Sequence, residues 1–171
     1  MAKKLWSGRF EGQLDEDAKA LSYSIPIDSF LVFYDIDVNR AHIKALNQAK
    51  LLSDTEATTL INCLDELENK FNEDVNFGID RDDEDIHSTI ERLVTESCGE
   101  LGKKMHMGKS RNDQVITDLR LYIKDVLYIL IEALQDLIET LVDLAEEHID
   151  VIFPGMTHFQ PAQPVLFSHH L

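Results

Sequence analysis

From Ser110 to Asp150 the chain reads SRNDQVITDLRLYIKDVLYILIEALQDLIETLVDLAEEHID, and this stretch decides the fold. Apolar residues recur at Val115/Ile116, Leu119, Tyr122/Ile123, Val126/Leu127, Leu130, Leu134, Leu137/Ile138, Leu141 and Leu144/Ala145, the spacing of a helix face. No Gly or Pro interrupts them before Pro154. The spacing predicts one helix on the order of 60 Å long at ~1.5 Å per residue, longer than a domain of this size is wide. Its apolar positions cover more than a single stripe, so it must pack against helices on several sides. The rest of the chain supplies too few long helices for that. Partner helices are expected from sequence beyond Leu171, from other subunits, or from both.

Upstream, the same period runs through Phe30, Phe33/Tyr34, Ile36/Val38, Ala41, Ile43 and Leu46, predicting a helix over about 29–50. Ser53-Asp54-Thr55-Glu56 matches a capping box, in which Ser oxygen and Glu carboxylate satisfy orphan amides. The helix it opens should bury Leu60, Ile61, Leu64, Leu67 and Phe71. After the polar break at Asn72 to Arg81, Asp82-Asp83-Glu84-Asp85 places acids where a helix N-terminus favours them. Ile86, Ile90, Leu93 and Val94 give that helix its apolar stripe. Gly99, Gly102 and Gly108 mark a loop-rich segment ending at Lys109, and Ser110-Arg111-Asn112-Asp113 forms a second capping box. Downstream, Pro154, Pro161 and Pro164 forbid a regular helix and predict a constrained loop carrying Thr157, His158 and Gln160. Pro164 suits the first turn of a new helix over 165–171. A chain stopping on an uncapped apolar Leu171 reads as a portion of a longer protein. The expected fold is all-α: an N-terminal helical domain over 1–109, then the start of a central long-helix bundle over 110–171.

A formal net charge of −16 over 171 residues excludes a nucleic-acid partner, which needs a basic footprint. The same sign argument excludes an anionic membrane surface. The opening MAKKLWSGRF carries no apolar stretch and so reads as no signal peptide. The longest apolar run, Val126 to Ile131, is far too short to span a bilayer. Cys63 and Cys98 are far apart and form no close-spaced metal or redox motif, the pattern of free thiols in a reducing compartment. A cytoplasmic location is expected.

His158 is the strongest single candidate for chemistry, a group that titrates near neutral pH between Thr157 and Gln160 hydrogen-bonding side chains. Against it stands a structural His satisfied locally. The Ser110–Gln114 helix start points backbone amides outward, and with Lys109 and Arg111 beside it can hold a carboxylate; an ordinary cap with a solvated Arg111 is the competing account. His87 lies one turn before Glu91. The two could offer a metal two ligands on one face, but a hydrogen-bonded His–Glu pair accounts for them more simply. His169-His170 are adjacent and point apart on a helix, while His42, His106 and His148 have no convergent partners. No nucleotide fingerprint, phosphate-cradling glycine loop or nucleophile elbow is present.

Taken together, Leu5-Trp6-Ser7-Gly8-Arg9-Phe10, Glu84-Asp85-Ile86-His87, Gly108-Lys109-Ser110-Arg111-Asn112-Asp113-Gln114-Val115 and Pro154-Gly155-Met156-Thr157-His158-Phe159-Gln160-Pro161-Ala162-Gln163-Pro164 resemble the argininosuccinate lyase family of the fumarase/aspartase superfamily. The Thr-x-His-x-Gln element alone would mark only the superfamily; the Ser-Arg-Asn-Asp-Gln run and the Trp-Ser-Gly-Arg-Phe opening single out the branch. The resemblance implies an all-α homotetramer whose active sites draw on three subunits. It implies reversible cleavage of argininosuccinate to arginine and fumarate, a step of arginine biosynthesis or the urea cycle, with no metal and no organic cofactor. By motif position, His158 resembles the catalytic acid/base and Thr157 a substrate contact from the same segment. Asn112 resembles a substrate-binding residue, and Ser110, Arg111, Gln160 and His87, which belong to the matching motifs, are expected as substrate contacts with it. Ser24, in Tyr23-Ser24-Ile25-Pro26, resembles a substrate-contacting Ser. The family's catalytic Ser loop and its substrate Lys and Gln belong to a later region, so this chain alone is expected to be inactive. Two other readings compete: another superfamily lyase, and a non-catalytic crystallin-like or assembly role.

Overall fold

The structure is a computed structural model describing residues 15–80 and 82–171. The Trp6–Phe10 motif lies outside the described residues. Helix α1 (Glu16–Ser22) starts where the Asp15 carboxylate accepts from the Asp17 amide, and α2 (Ile25–Asp28) carries Pro26 in its first turn, where a missing N–H costs nothing. A 3-10 turn at Ser29–Leu31 leads into α3 (Val32–Gln48). Helix α4 (Asp54–Glu73) opens on the Ser53/Glu56 capping box the sequence predicts. Helix α5 (Ile86–Cys98) is capped by Asp85, whose partner in a second box is Ser88. A short α6 (Glu100–Lys103) and a 3-10 turn precede α7 (Arg111–Glu147). Two antiparallel strands, β1 (Ile152–Thr157) and β2 (Gln160–Leu166), and a last turn, α8 (Phe167–His170), complete the chain. No helix among the described residues is long and apolar enough to cross a membrane.

The chain forms two compact units, one ending at Tyr122 and one over Ile123–Leu171. In the first, α3, α4 and α5 bury Val32, Ile36, Ile43, Leu60, Leu64, Phe71, Ile86, Ile90 and Val94 in one core. The α5 stripe is the one predicted. Among the other expected apolar positions, Phe30 and Ala41 are exposed and Phe33, Tyr34, Val38 and Ile61 only half-buried. Helix α3 instead turns Asp35 and Asn39 inward, both fully buried. Periodicity missed them because it counts only apolar side chains. Asp83 also departs from its expected place at the α5 terminus: it folds back onto Arg92, 2.7 Å away, and accepts from Thr89 Oγ1.

Helix α7 is unbroken, as predicted, over 37 residues. Within the first unit it buries Gln114 and Asp118 and seats Tyr122 against Phe30 and Tyr34. In the second unit most of its apolar side chains are exposed, Ile129 being 66% and Ile138 59%, while Leu141, Leu144 and Ala145 are half-buried.

The Pro-rich segment corrects the expected loop and the expected helix start at Pro164. It is a hairpin in which Thr157 pairs with Gln160, Pro161 with Met156 and Pro164 with Pro154. Proline cannot donate to a ladder, but each strand here has only one partner, so the lost amides fall where a two-strand sheet tolerates them. Gly155 marks a register shift: a Cβ there would lie 2.6 Å from the Gln163 carbonyl oxygen. The final helix spans only Phe167–His170, held by the Phe167 amide donating to the Val151 carbonyl and by the Phe167 ring against Phe153 and His148.

Candidate functional site

In the first unit the N-termini of α5 and α7 come together, and most motif residues meet there. The Ser24 amide donates to the Glu84 carbonyl at 2.9 Å, and its hydroxyl donates to Asp28 Oδ2 at 2.6 Å. Asp28 also accepts from the Ile86 amide, so the Tyr23-Ser24-Ile25-Pro26 and Glu84-Asp85-Ile86-His87 motifs are bound to each other. Arg111 reaches the same α5 turn from α7, with Nε 3.7 Å from Asp85 Oδ2 and Nη2 3.3 Å from Glu91 Oε2. It also donates to Gln114 Oε1. Its guanidinium is therefore occupied by carboxylates and is neither a solvated side chain nor an open anion fork.

Ser110 and Asn112 are exposed at the α7 start. Ser110 Oγ accepts from the Asn112 amide at 3.2 Å, a cap one residue tighter than the predicted box. What faces solvent is the Asn112 carboxamide on a positively polarised helix end, which suits a carboxylate ligand.

His87 is not paired with Glu91. Its side chain is 1% exposed, and Nδ1 lies 3.3 Å from Asp35 Oδ1 and 3.4 Å from Asp118 Oδ2. Glu91 goes to Arg111 and, at 3.8 Å, to His106. The substrate contact expected of His87 is thus enclosed rather than presented to solvent. Around it sits a buried polar cluster from α3, α5 and α7. The Gln114 side-chain amide donates to Asp35 Oδ1, Asn39 Nδ2 donates to Asp35 Oδ2 at 2.9 Å, and Lys109 Nζ donates to Asn39 Oδ1 at 2.5 Å. Burial opposes Asp35 ionisation, but His87 and the Gln114 amide hold its carboxyl below the ordinary range. Asp118, without such donors, is pushed up to about 7 by burial and by the Asp35 charge. Burial works against the His87 imidazolium too, yet the Asp35 carboxylate raises its pKa overall. Burial also lowers Lys109. Sequence reasoning missed Asp35, Asn39 and Asp118. The available signal was spacing: Asp35 and Asn39 are four apart, as are Gln114 and Asp118, each pair making one polar spot on a helix face.

In the second unit Thr157 and Gln160 are the paired residues flanking a two-residue turn, with His158 at φ 47° and Phe159 at φ 60°. Positive φ at both central positions is the type I′ pattern normally filled by Asn and Gly. His158 and Phe159 are exposed at the tip, Phe159 at 97%. A ring nitrogen held out on a two-residue turn is free to meet a substrate or another chain.

Cys63 and Cys98 are free thiols that prove to be neighbours across α4 and α5. Burial and the adjacent Cys98 push the Cys63 thiol up to about 11, which leaves it unreactive near neutral pH.

A helical fold with its motif residues gathered at one helix start and one hairpin tip matches known proteins closely. The chain belongs to a lyase family, whose sequence profile matches residues 8–171. Among curated relatives, the argininosuccinate lyase of Streptococcus suis (strain 05ZYH33) is 45% identical over 170 residues, 99% of this chain and 36% of the relative. That of Acidothermus cellulolyticus is 46% identical over 170 residues, 99% of this chain and 35% of the relative. The chain thus spans about a third of the length of the curated relatives it matches. Of solved structures, a variant of EDDS lyase with bound fumarate superposes with a TM-score of 0.72 at 28% identity, covering 83% of this chain and 27% of that one. A fumarate lyase from Mesorhizobium sp. BNC1, with TM-score 0.67, 20% identity and coverage of 94% and 37%, shares the fold.

Proposed function

We propose that this chain supplies the N-terminal part of an argininosuccinate lyase, reversibly cleaving argininosuccinate to arginine and fumarate in the cytoplasm. The observation that carries the reading is identity of 45–46% with argininosuccinate lyases across 99% of the chain. The residue chemistry agrees with it. Elimination breaks a C–H bond beside a carboxylate and a C–N bond to the guanidinium, forms the fumarate double bond and delivers a proton to the leaving nitrogen. Negative charge spreads onto that carboxylate as the proton leaves, and fixed donors stabilise it most where it develops. Asn112, Ser110 and the α7 amides are such donors, while Arg111 holds the helix start against α5. His158 moves a proton, as base or as acid to the leaving nitrogen, with Thr157 and Gln160 as substrate contacts. Ser24 contributes from the N-terminal segment, and His87 acts from beneath.

The chain divides in role at Lys109/Ser110, a helical domain over 1–109 preceding the start of the bundle. The exposed apolar side chains from Ile123 to Val142 support a homotetramer in which subunits share active sites, because each such Leu or Ile is worth about 1.5–3 kcal/mol when covered. The test is His158→Asn in the whole protein, followed by fumarate absorbance. Turnover should fall about 10²–10⁴-fold with assembly intact; unchanged turnover would leave His158 a structural residue. Assaying malate, aspartate and adenylosuccinate alongside argininosuccinate separates this lyase from its superfamily relatives.

A further inference from the structure

Helix α5 carries two sides of the candidate substrate site. Its first turn holds Ser24, through the Glu84 carbonyl and through Asp28, which joins the Ser24 hydroxyl to the Ile86 amide. Its second turn holds the start of α7, because Arg111, the first residue of that helix, donates from Nη2 to Glu91 Oε2 at 3.3 Å. The other two partners of Arg111 make that tie less well. Asp85 Oδ2 lies 3.7 Å from Nε, too far for a good hydrogen bond, and Asp85 Oδ1 is taken by the Ser88 amide at 2.6 Å. Gln114 is uncharged and belongs to α7 itself. The Glu91 side chain is only 14% exposed, and its other neighbour is His106, with Nδ1 3.8 Å away. Burial and the facing charges of Arg111, Lys109 and His42 outweigh the pull of Glu91 and hold the His106 imidazole below its ordinary range. At neutral pH it is therefore uncharged, and Arg111 is the cation that Glu91 balances.

We propose that Glu91 is a positioning residue for the elimination: by fixing Arg111 it sets where Asn112 and the first α7 amides stand relative to Ser24, the two points that grip one substrate. The proposal rests on the lyase reading above. Arg111 and Asn112 are consecutive on a rigid helix, so a guanidinium held by Glu91 leaves the Asn112 carboxamide little freedom to turn about the helix axis. A displacement of about 1 Å at such a donor can cost on the order of 10²-fold in rate. The pair also settles charge. A carboxylate left alone beside the α7 start would repel the carboxylates of a substrate, whereas the paired one presents a neutral abutment. Glu91 touches no substrate and acts through Arg111.

A double-mutant cycle in the whole protein tests this, read as succinate affinity by calorimetry and as argininosuccinate turnover by fumarate absorbance. Glu91→Gln keeps the shape and an acceptor oxygen but removes the charge. It should weaken succinate binding and lower kcat/KM by about 10-fold each, the size of coupling within one ion-pair network, with Tm and assembly unchanged. In an Arg111→Met background the same substitution should weaken neither further, because the residue it acts through is gone. Glu91→Asp, which withdraws the charge by one methylene, carries the same test if the Gln variant does not fold. Unchanged affinity and kcat/KM, or an equal loss in both backgrounds, would overturn the proposal and leave the lyase reading intact. A fall in Tm and kcat at unchanged succinate affinity would mark Glu91 as structural only and overturn it too. A wild-type protein that neither binds succinate nor releases fumarate would overturn the lyase reading, and the proposal with it.

Discussion

The first unit and the second carry the same kind of sequence, apolar residues at helical spacing, with opposite results. Leu60, Leu64, Ile86 and Ile90 are fully buried because α3, α4 and α5 cover one another. Leu130, Leu134, Leu137 and Ile138 on α7 are about half exposed or more, although their spacing is as regular. An amphipathic pattern states how much surface a helix needs covered, and says nothing about what covers it. Where three helices lie within one stretch of chain the need is met locally; on α7 from Ile123 to Val142 it is left unmet among the described residues.

The largest effect that can break this contrast is on association. Replacing Leu130 and Leu134 together by Lys should take the chain from a self-associated species to a 19.6 kDa monomer in sedimentation, with the cooperative melt of the first unit unchanged. A wild-type chain that is already monomeric would break the comparison. Leu64→Ala, on the covered side, should cost about 2–5 kcal/mol in urea unfolding by leaving a cavity, and should not alter the association state.

Next comes the buried ion pair. Burial pushes the Asp83 carboxyl upward, but hydrogen bonds from Arg92, the Asp80 amide and Thr89 outweigh it and hold it below its ordinary range. A folded pKa below the unfolded one gives stability that is complete above about pH 4 and is lost as pH falls through the folded value. Asp83→Asn should therefore remove about 1–3 kcal/mol at neutral pH and flatten the acid limb of the stability curve. An unaltered acid limb would place the acid sensitivity elsewhere.

Smaller still is the cap. Ser53→Ala should cost about 1 kcal/mol, read as a shifted urea midpoint. The smallest effect lies at the hairpin tip. Phe159→Gly relieves a left-handed non-glycine residue and should stabilise the second unit by about 0.5–1 kcal/mol, visible as slower exchange of the β1 and β2 amides. Slower exchange combined with lost turnover in the whole protein would show that the strained turn is kept for function.

How much was legible in the sequence follows from the range of the interactions. Ser53 and Glu56 are three apart, so their box could be read directly, as could the α5 stripe and the unbroken α7. Each is a local pattern, set by backbone geometry over one or two turns. The hairpin was misread because its prolines argue only against helix; Thr157 and Gln160 pair across a turn whose His158-Phe159 lacks the usual glycine signal. Tertiary structure alone decided that Asp35, His87 and Asp118 face one another, that Arg111 is taken by Asp85 and Glu91, and that Cys63 meets Cys98. These residues are up to 83 positions apart in sequence and mostly polar. A polar residue reads as solvent-facing until a partner from another helix removes it from water, and no helical period encodes which helix that is.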